Sequence, residues 1–94
     1  RDSYKTVDID SLAAISCLSK DHFIRLFKKE VGTTPLQYIN QKKIEKAQLI
    51  LITEDIPVKN IAYLLAYEDH SYFNRLFKKI TDVTPQQYRE LYKK

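Results

Sequence analysis

The sequence predicts an all-α chain made of two copies of one helical unit joined by a long helix, and three observations predict it. A heptapeptide is written twice: Phe23-Ile24-Arg25-Leu26-Phe27-Lys28-Lys29 returns as Phe73-Asn74-Arg75-Leu76-Phe77-Lys78-Lys79, with one residue changed. Thr34-Pro35-x-Gln37-Tyr38 returns at the same offset as Thr84-Pro85-x-Gln87-Tyr88. Duplication on this scale within 94 residues marks a repeated supersecondary unit. The composition agrees: one Gly and three Pro among many Leu, Ile, Lys and Glu suit helices with short connections, and no stretch alternates like a strand.

Each element has its own signal. Residues 1–8 form a polar lead-in. Ile9, Leu12, Ala13 and Ser16 then keep helical spacing, with Asp8 or Asp10 as N-cap, and this helix stops near Cys17-Leu18. Ser19 stands where a second N-cap is needed. The helix that follows turns Phe23, Leu26, Phe27, Glu30 and Val31 inward, and Gly32 takes the left-handed position after it. Two helices with about three turn residues between them form a helix-turn-helix over residues 9–33.

Thr34 and Pro35, as N-cap and first helical residue, open a linker helix over residues 34–54. Its stripe is Ile44, Ala47 and Leu51, and the run Leu49-Ile50-Leu51-Ile52 predicts burial between the two subdomains. The first half, with Gln37, Asn40, Gln41, Lys42, Lys43 and Lys46, is the wetter part. Pro57 suits the first turn of the next helix, whose inward residues are Val58, Ile61, Ala62 and Leu65. Ala66-Tyr67-Glu68 is a turn, and Asp69 or Glu68 caps a helix bearing Phe73, Leu76, Phe77 and Ile80. This second helix-turn-helix spans residues 57–81. A closing helix over 84–93 faces inward with Tyr88 and with Leu91 or Tyr92. The repeat places Tyr63, Tyr67 and Tyr72 at or near the core.

The two copies differ by one turn residue, because Leu12-Ala13 aligns with Ile61-Ala62 at one position less than the offset downstream. Ala13 and Cys17 then match Ala62 and Ala66. Cys17 and Ala66 occupy a bend where glycine is expected, so each bend tolerates a Cβ or bears strain.

Composition also excludes function classes. A lone Cys17 rules out an internal disulfide framework and fits a reducing compartment. No apolar run nears the ~20 residues of a membrane span, and nothing resembles a signal peptide. The chain opens at Arg1 without a methionine, which reads as a piece of a longer protein. His22 and His70 are not repeat-equivalent and form no chelating pair with each other or with Cys17. A single glycine precludes a phosphate-cradling loop. No cofactor, metal or catalytic residue is expected, and the chain does not read as an enzyme.

The net charge of +4 and pI near 9.2 are moderately basic, compatible with a solvated surface or a polyanionic partner. The outward faces of the two second helices favour the polyanion. One carries Lys20, Asp21, Ile24, Arg25, Lys28 and Lys29; the other carries Asp69, His70, Ser71, Asn74, Arg75, Lys78 and Lys79. Arg suits guanine, Asn adenine, and Ser or His either. The same Arg and Lys-Lys recur at the same wheel positions. Each such helix is expected in a major groove, with the ~27 Å linker helix setting their separation against the ~34 Å spacing of successive grooves.

The expected base contacts are Lys20, Asp21, Ile24, Arg25, His70, Ser71, Asn74 and Arg75. Lys28, Lys29, Gln37, Lys78 and Lys79 are expected on phosphates, with the helix N-termini at Pro35 and Pro85. Ile24 meets a thymine methyl or is a half-buried flank residue; Asp21 accepts from cytosine or caps its helix. The competing reading is a helical protein-interaction module, which needs neither the turns nor duplicated basic faces. RNA binding would call for exposed aromatics.

These residues resemble the C-terminal DNA-binding domain of the AraC/XylS family of bacterial transcription regulators. The resemblance rests on Leu12-Ala13, Ser19, Phe27-Lys28 and Gly32, on Tyr38 and Ala47, and on Ile61-Ala62, Ser71-Tyr72-Phe73, Phe77-Lys78 and Thr84-Pro85-x-x-Tyr88-Arg89. It covers about residues 9–89. Ala66-Tyr67 stands where the family usually has Gly-Phe, Asp82 where it has Gly, and Lys43 where it has Arg. The resemblance implies a duplicated homeodomain-like fold, double-stranded DNA as partner, and transcription regulation, as an activator, in the bacterial cytoplasm at the nucleoid. It further implies RNA polymerase as a partner and an N-terminal effector or dimerisation domain outside this chain, with no membrane association.

Overall fold

Side-chain caps punctuate the chain where the sequence places them. The computed structural model describes Ala13 and residues 18–93. Its helices are α1 (Lys20–Val31), α2 (Pro35–Thr53), α3 (Val58–Leu64), α4 (His70–Thr81) and α5 (Pro85–Tyr92), and no strand occurs among the described residues. The chain divides into two compact units, Arg1–Lys42 and Lys43–Lys94, with α2 running through the division.

In the first unit, the helix expected before Cys17 lies outside the described residues except for Ala13, which is helical and buried. The Leu18 N–H donates to the Ala13 carbonyl at 3.1 Å. Ser19, not Asp21, is the N-cap of α1: its hydroxyl accepts from the His22 N–H at 3.1 Å. Asp21 stands in the first turn, where a negative charge complements the helix dipole. Gly32 ends α1 at φ 100°, and its N–H donates to the Lys28 carbonyl at 2.8 Å. A Cβ built there meets no atom within 4 Å, so glycine is required by the backbone rather than by space.

Phe27 bridges Phe23, with ring centroids 5.8 Å apart, and Tyr38, edge-on at 5.7 Å, and Pro35 is buried. Leu26, Glu30 and Val31, expected inside, are exposed. At about 100° per residue, a face centred between Phe23 and Phe27 leaves Leu26 and Val31 roughly 60–80° to either side. They fall at its margins.

The second unit holds a denser core. Ile44, Ala47 and Leu51 of α2 are fully buried, as the stripe predicts, and Ile50 nearly so. Against them in the core are Ile61, Ala62 and Leu65 at α3, Tyr67 in the turn, and Phe73 and Phe77 of α4. Rings continue outward from it: Tyr67 to Phe73 at 5.4 Å, Phe73 to Phe77 at 5.9 Å, Phe77 to Tyr88 at 5.7 Å and Tyr88 to Tyr92 at 4.6 Å. Burial, with Tyr72 nearby, pushes the Tyr67 phenol well above its ordinary value. Lys43 lies over the Tyr67 ring, its Nζ 4.8 Å from the centroid, and burial lowers its pKa. The ring face opposes part of that effect by attracting the cation.

Several apolar side chains stay outside. Leu49 is exposed, so the second half of α2 is not covered on every side. Leu91 and Tyr92 are exposed, while Pro85 of the closing helix is buried and Tyr88 half-buried; Tyr63 and Tyr72, expected at or near the core, are exposed. Pro57, expected in the first turn of α3, is its N-cap.

The turn between α3 and α4 is closed by two backbone bonds: the Ala66 N–H donates to the Tyr63 carbonyl at 2.9 Å and the Tyr67 N–H to the Ala62 carbonyl at 3.0 Å. This is a Schellman closure with Ala66 in the left-handed region at φ 70°. The Leu18-to-Ala13 bond is its counterpart, at the offset the repeat predicts; Cys17 lies outside the described residues. Asp82 ends α4 at φ 71°, in the place Gly32 takes after α1.

Arg89 locks α5 onto the end of α2. Its Nε donates to the Leu51 carbonyl at 3.0 Å, and its Nη2 to the carbonyls of Glu54 at 3.1 Å and Ile56 at 2.7 Å. A guanidinium at the carbonyl end of a helix meets both the unsatisfied acceptors and the negative pole of the dipole. Lys93 adds an ion pair to Asp55 at 3.0 Å, which holds the Asp55 carboxyl below the usual carboxylate range.

Candidate nucleic-acid interface

The two candidate reading helices are built alike. Both α1 and α4 have 12 residues, start at a side-chain cap (Ser19 or Asp69) and stop at a left-handed residue (Gly32 or Asp82). Capping at both ends puts each residue of α1 at the wheel position of its repeat partner in α4. Lys20 and His70, Asp21 and Ser71, Ile24 and Asn74, and Arg25 and Arg75 therefore share positions, as do Lys28 and Lys78, and Lys29 and Lys79. Within each unit the expected base readers lie on one side of one helix.

Lys20, Asp21, Arg25, Ser71 and Arg75 are exposed, and so are Lys28, Lys29, Lys78 and Lys79. Ile24, His70 and Asn74 are half-buried along the flank next to the inward Phe residues. Among the described residues, none forms a hydrogen bond or ion pair with the side chains of Arg25, Lys28, Lys29, Arg75, Lys78 or Lys79. α4 carries three cations and no acidic residue, while α1 carries four cations with Asp21 and Glu30. Unpaired guanidinium and ammonium groups on one face, followed by two lysines in the last turn, match what phosphates and guanine edges require.

Two expected contacts are occupied differently. The Gln37 carbonyl oxygen accepts from the Thr34 N–H at 3.1 Å, while the Gln37 N–H donates to the Thr34 hydroxyl at 3.2 Å. This capping box leaves the amide nitrogen as the end that can reach a phosphate. Gln87 makes the same box with Thr84, at 2.9 and 3.1 Å, and so is an equal candidate that the site reading missed; the repeated Thr-Pro-x-Gln was its signal. Asp69 caps α4 by accepting from the Ser71 N–H at 2.9 Å, which leaves the Ser71 hydroxyl to face outward. Asn74 departs furthest from expectation: its Oδ1 is buried without a hydrogen-bond partner.

Among the described residues no cluster of His, Cys, Asp and Glu could hold a metal ion, and no helix is long and apolar enough to cross a membrane.

Comparison with known proteins identifies the arrangement. The profile of a helix-turn-helix domain matches residues 12–91. The chain is 37% identical over 84 residues to the MmsAB operon regulatory protein of Pseudomonas aeruginosa, covering 89% of this chain and 27% of that protein. It is 33% identical over 82 residues to the arabinose operon regulatory protein of Escherichia coli, covering 87% and 28%. The chain thus spans little more than a quarter of those relatives. Among solved structures, the C-terminal domain of the response regulator yesN from Fusobacterium nucleatum matches with TM-score 0.84 and 36% identity, covering 89% of this chain and 82% of that one. The DNA-binding domain of AdpA, solved with a target DNA, matches with TM-score 0.86 and 26% identity, covering 94% and 79%. That family comprises DNA-binding regulators and is not an enzyme class. The duplicated capped helices, the turn closures and these matches together place the chain in the AraC/XylS family of transcription regulators, as its helix-turn-helix DNA-binding domain.

Proposed function

We propose that this domain reads double-stranded DNA with α1 and α4, each in a major groove, as the DNA-binding part of a transcription activator. One observation carries the reading: the same Arg, Lys and Lys stand unpaired and exposed at matching positions of two identically capped helices. Arg25 and Arg75 address base edges. Lys28, Lys29, Lys78 and Lys79 hold phosphates, together with Gln37 and the helix N-termini at Pro35 and Pro85. Lys20, Asp21 and Ile24 complete the first reading face; His70, Ser71 and Asn74 complete the second. Because the faces differ at Lys20/His70, Asp21/Ser71 and Ile24/Asn74, the two helices read different sequence and the site is asymmetric.

The intact protein, by the same reading, adds an N-terminal effector or dimerisation domain, contacts RNA polymerase and works in the bacterial cytoplasm. The regulatory reading is supported by the relatives named as operon regulators, of which the chain spans little more than a quarter, and by a similar domain solved with its target DNA.

A competition experiment separates the readings. Duplex DNA should displace a labelled duplex from the domain, and single-stranded RNA of equal length should not. With Tyr63 and Tyr72 exposed, stacking platforms for a single strand are available, so the RNA arm is a real test. Stronger competition by RNA would overturn the duplex reading, and no salt-dependent binding to either would favour a protein-interaction module.

A further inference from the structure

Asn74 is placed at a cost to the fold. The position lies on the flank of α4, between the buried stripe of Phe73 and Phe77 and the exposed Arg75. The residue is half-buried, yet its Oδ1 lies inside the protein with no donor to satisfy it. A buried acceptor without a partner is unfavourable, because the water it gave up is not replaced. The unit itself does not need a polar group there. Its repeat partner Ile24 is also half-buried, and an isoleucine fills that flank of α1 with no polar atom to satisfy.

The way the amide is held limits what it can say to a base. Reading adenine takes both ends at once, the oxygen accepting from N6 and the nitrogen donating to N7. With Oδ1 turned in, only the Nδ2 donors face outward. Turning the amide over would bury Nδ2 instead, so either orientation presents one pole. A donor alone suits best the edges whose acceptors have no donor beside them, O6 and N7 of guanine or O4 of thymine. At adenine the N6 donor next to N7 repels it, and at cytosine the N4 donor opposes it.

We infer that Asn74 is a specificity-determining residue of the second reading helix that selects guanine or thymine through a donor-only amide and does not read adenine. This deepens the reading of α4 as a major-groove helix and rests on it. The unsatisfied oxygen is the stability given up for that selectivity.

Two measurements on the 94-residue domain test it, with Asn74→Leu and Asn74→Ile as variants. The first removes the amide at nearly constant size; the second installs the residue of the other copy. Without DNA, at least one of the two should melt at or above the temperature of the wild type, since each removes the orphaned acceptor. If both melt clearly below it, the oxygen is satisfied in solution and the inference falls.

In selection from random duplexes, the wild type should enrich guanine or thymine at one position of its site, and both variants should lose about five- to tenfold preference there while keeping the rest. Adenine enriched at that position and lost in the variants would show the amide oxygen turned out to accept from N6, and would overturn the inference. So would an identical preference in all three proteins. A wild type that enriches no sequence at all would instead overturn the DNA reading on which the inference stands, and the melting comparison distinguishes the two failures.

Discussion

Replacing Arg89 by alanine should loosen the second unit more than any other single surface change. The guanidinium makes three hydrogen bonds, to the carbonyls of Leu51, Glu54 and Ile56, from one half-buried side chain. A hydrogen bond with one charged partner contributes about 1.5–3 kcal/mol, but three from one group are not additive. The Glu54 contact is exposed and its carbonyl rehydrates once the arginine is gone, whereas the Leu51 and Ile56 contacts are part-buried. The net loss should be ~2–3 kcal/mol, or a Tm lower by roughly 8–24 °C for a domain of this size.

Arg89→Lys keeps a charge near the end of α2 but loses the planar fork, and should recover no more than about half of that. Urea titration followed by circular dichroism measures both variants. If Arg89→Ala stays within about 0.5 kcal/mol of wild type, the clamp has no energetic role. If Arg89→Lys matches wild type while alanine does not, the charge matters and the three-way geometry does not.

Other consequences concern the reading faces and the turns. Arg25→Ala or Arg75→Ala should each cost ~1–3 kcal/mol on the selected site and relax preference at one base pair, measured by fluorescence anisotropy on specific and random duplexes. Equal losses on both duplexes would remove these arginines from base reading. Lys28→Ala should weaken binding to all sequences alike and flatten the slope of log affinity against log salt by about one unit; an unchanged slope would take Lys28 off the phosphates. Ala66→Gly should stabilise by ~1 kcal/mol, because alanine bears a Cβ in the left-handed region. Gly32→Ala, at φ 100°, should destabilise by ~1–2 kcal/mol although nothing stands within 4 Å of the added carbon. Denaturation midpoints that move the opposite way would contradict the backbone account of both turns.

What could be read in the residues was local. Ser19, Thr34, Asp69 and Thr84 cap their helices through bonds spanning two or three positions, and spacing alone reveals such bonds. The left-handed Gly32 and the one-residue difference between copies were legible for the same reason. The margins of each helix were not. A wheel says where Leu26, Val31, Tyr63, Tyr72, Leu91 and Tyr92 point, but whether a neighbour covers them depends on tertiary packing that the period does not encode.

Arg89 shows the same limit from the other side. Its partners lie 33 to 38 positions away, and no local pattern ties an arginine on the last helix to the end of α2. On the candidate site, the wheel positions were legible from the repeat, and so was the exposure of its arginines and lysines, whereas His70 and Asn74, expected outward, are half-buried. The buried end of the Asn74 amide and the spent oxygen of Gln37 were not legible, since both depend on side-chain orientation.

The measurement that tests the central claim most directly is selection from random duplexes followed by hydroxyl-radical footprinting of the winning sequence. Two reading helices in two major grooves predict one enriched asymmetric site with two protected segments about one helical turn apart, ~34 Å along the duplex. A single protected segment, or no enriched sequence, would contradict the claim that α1 and α4 both read DNA.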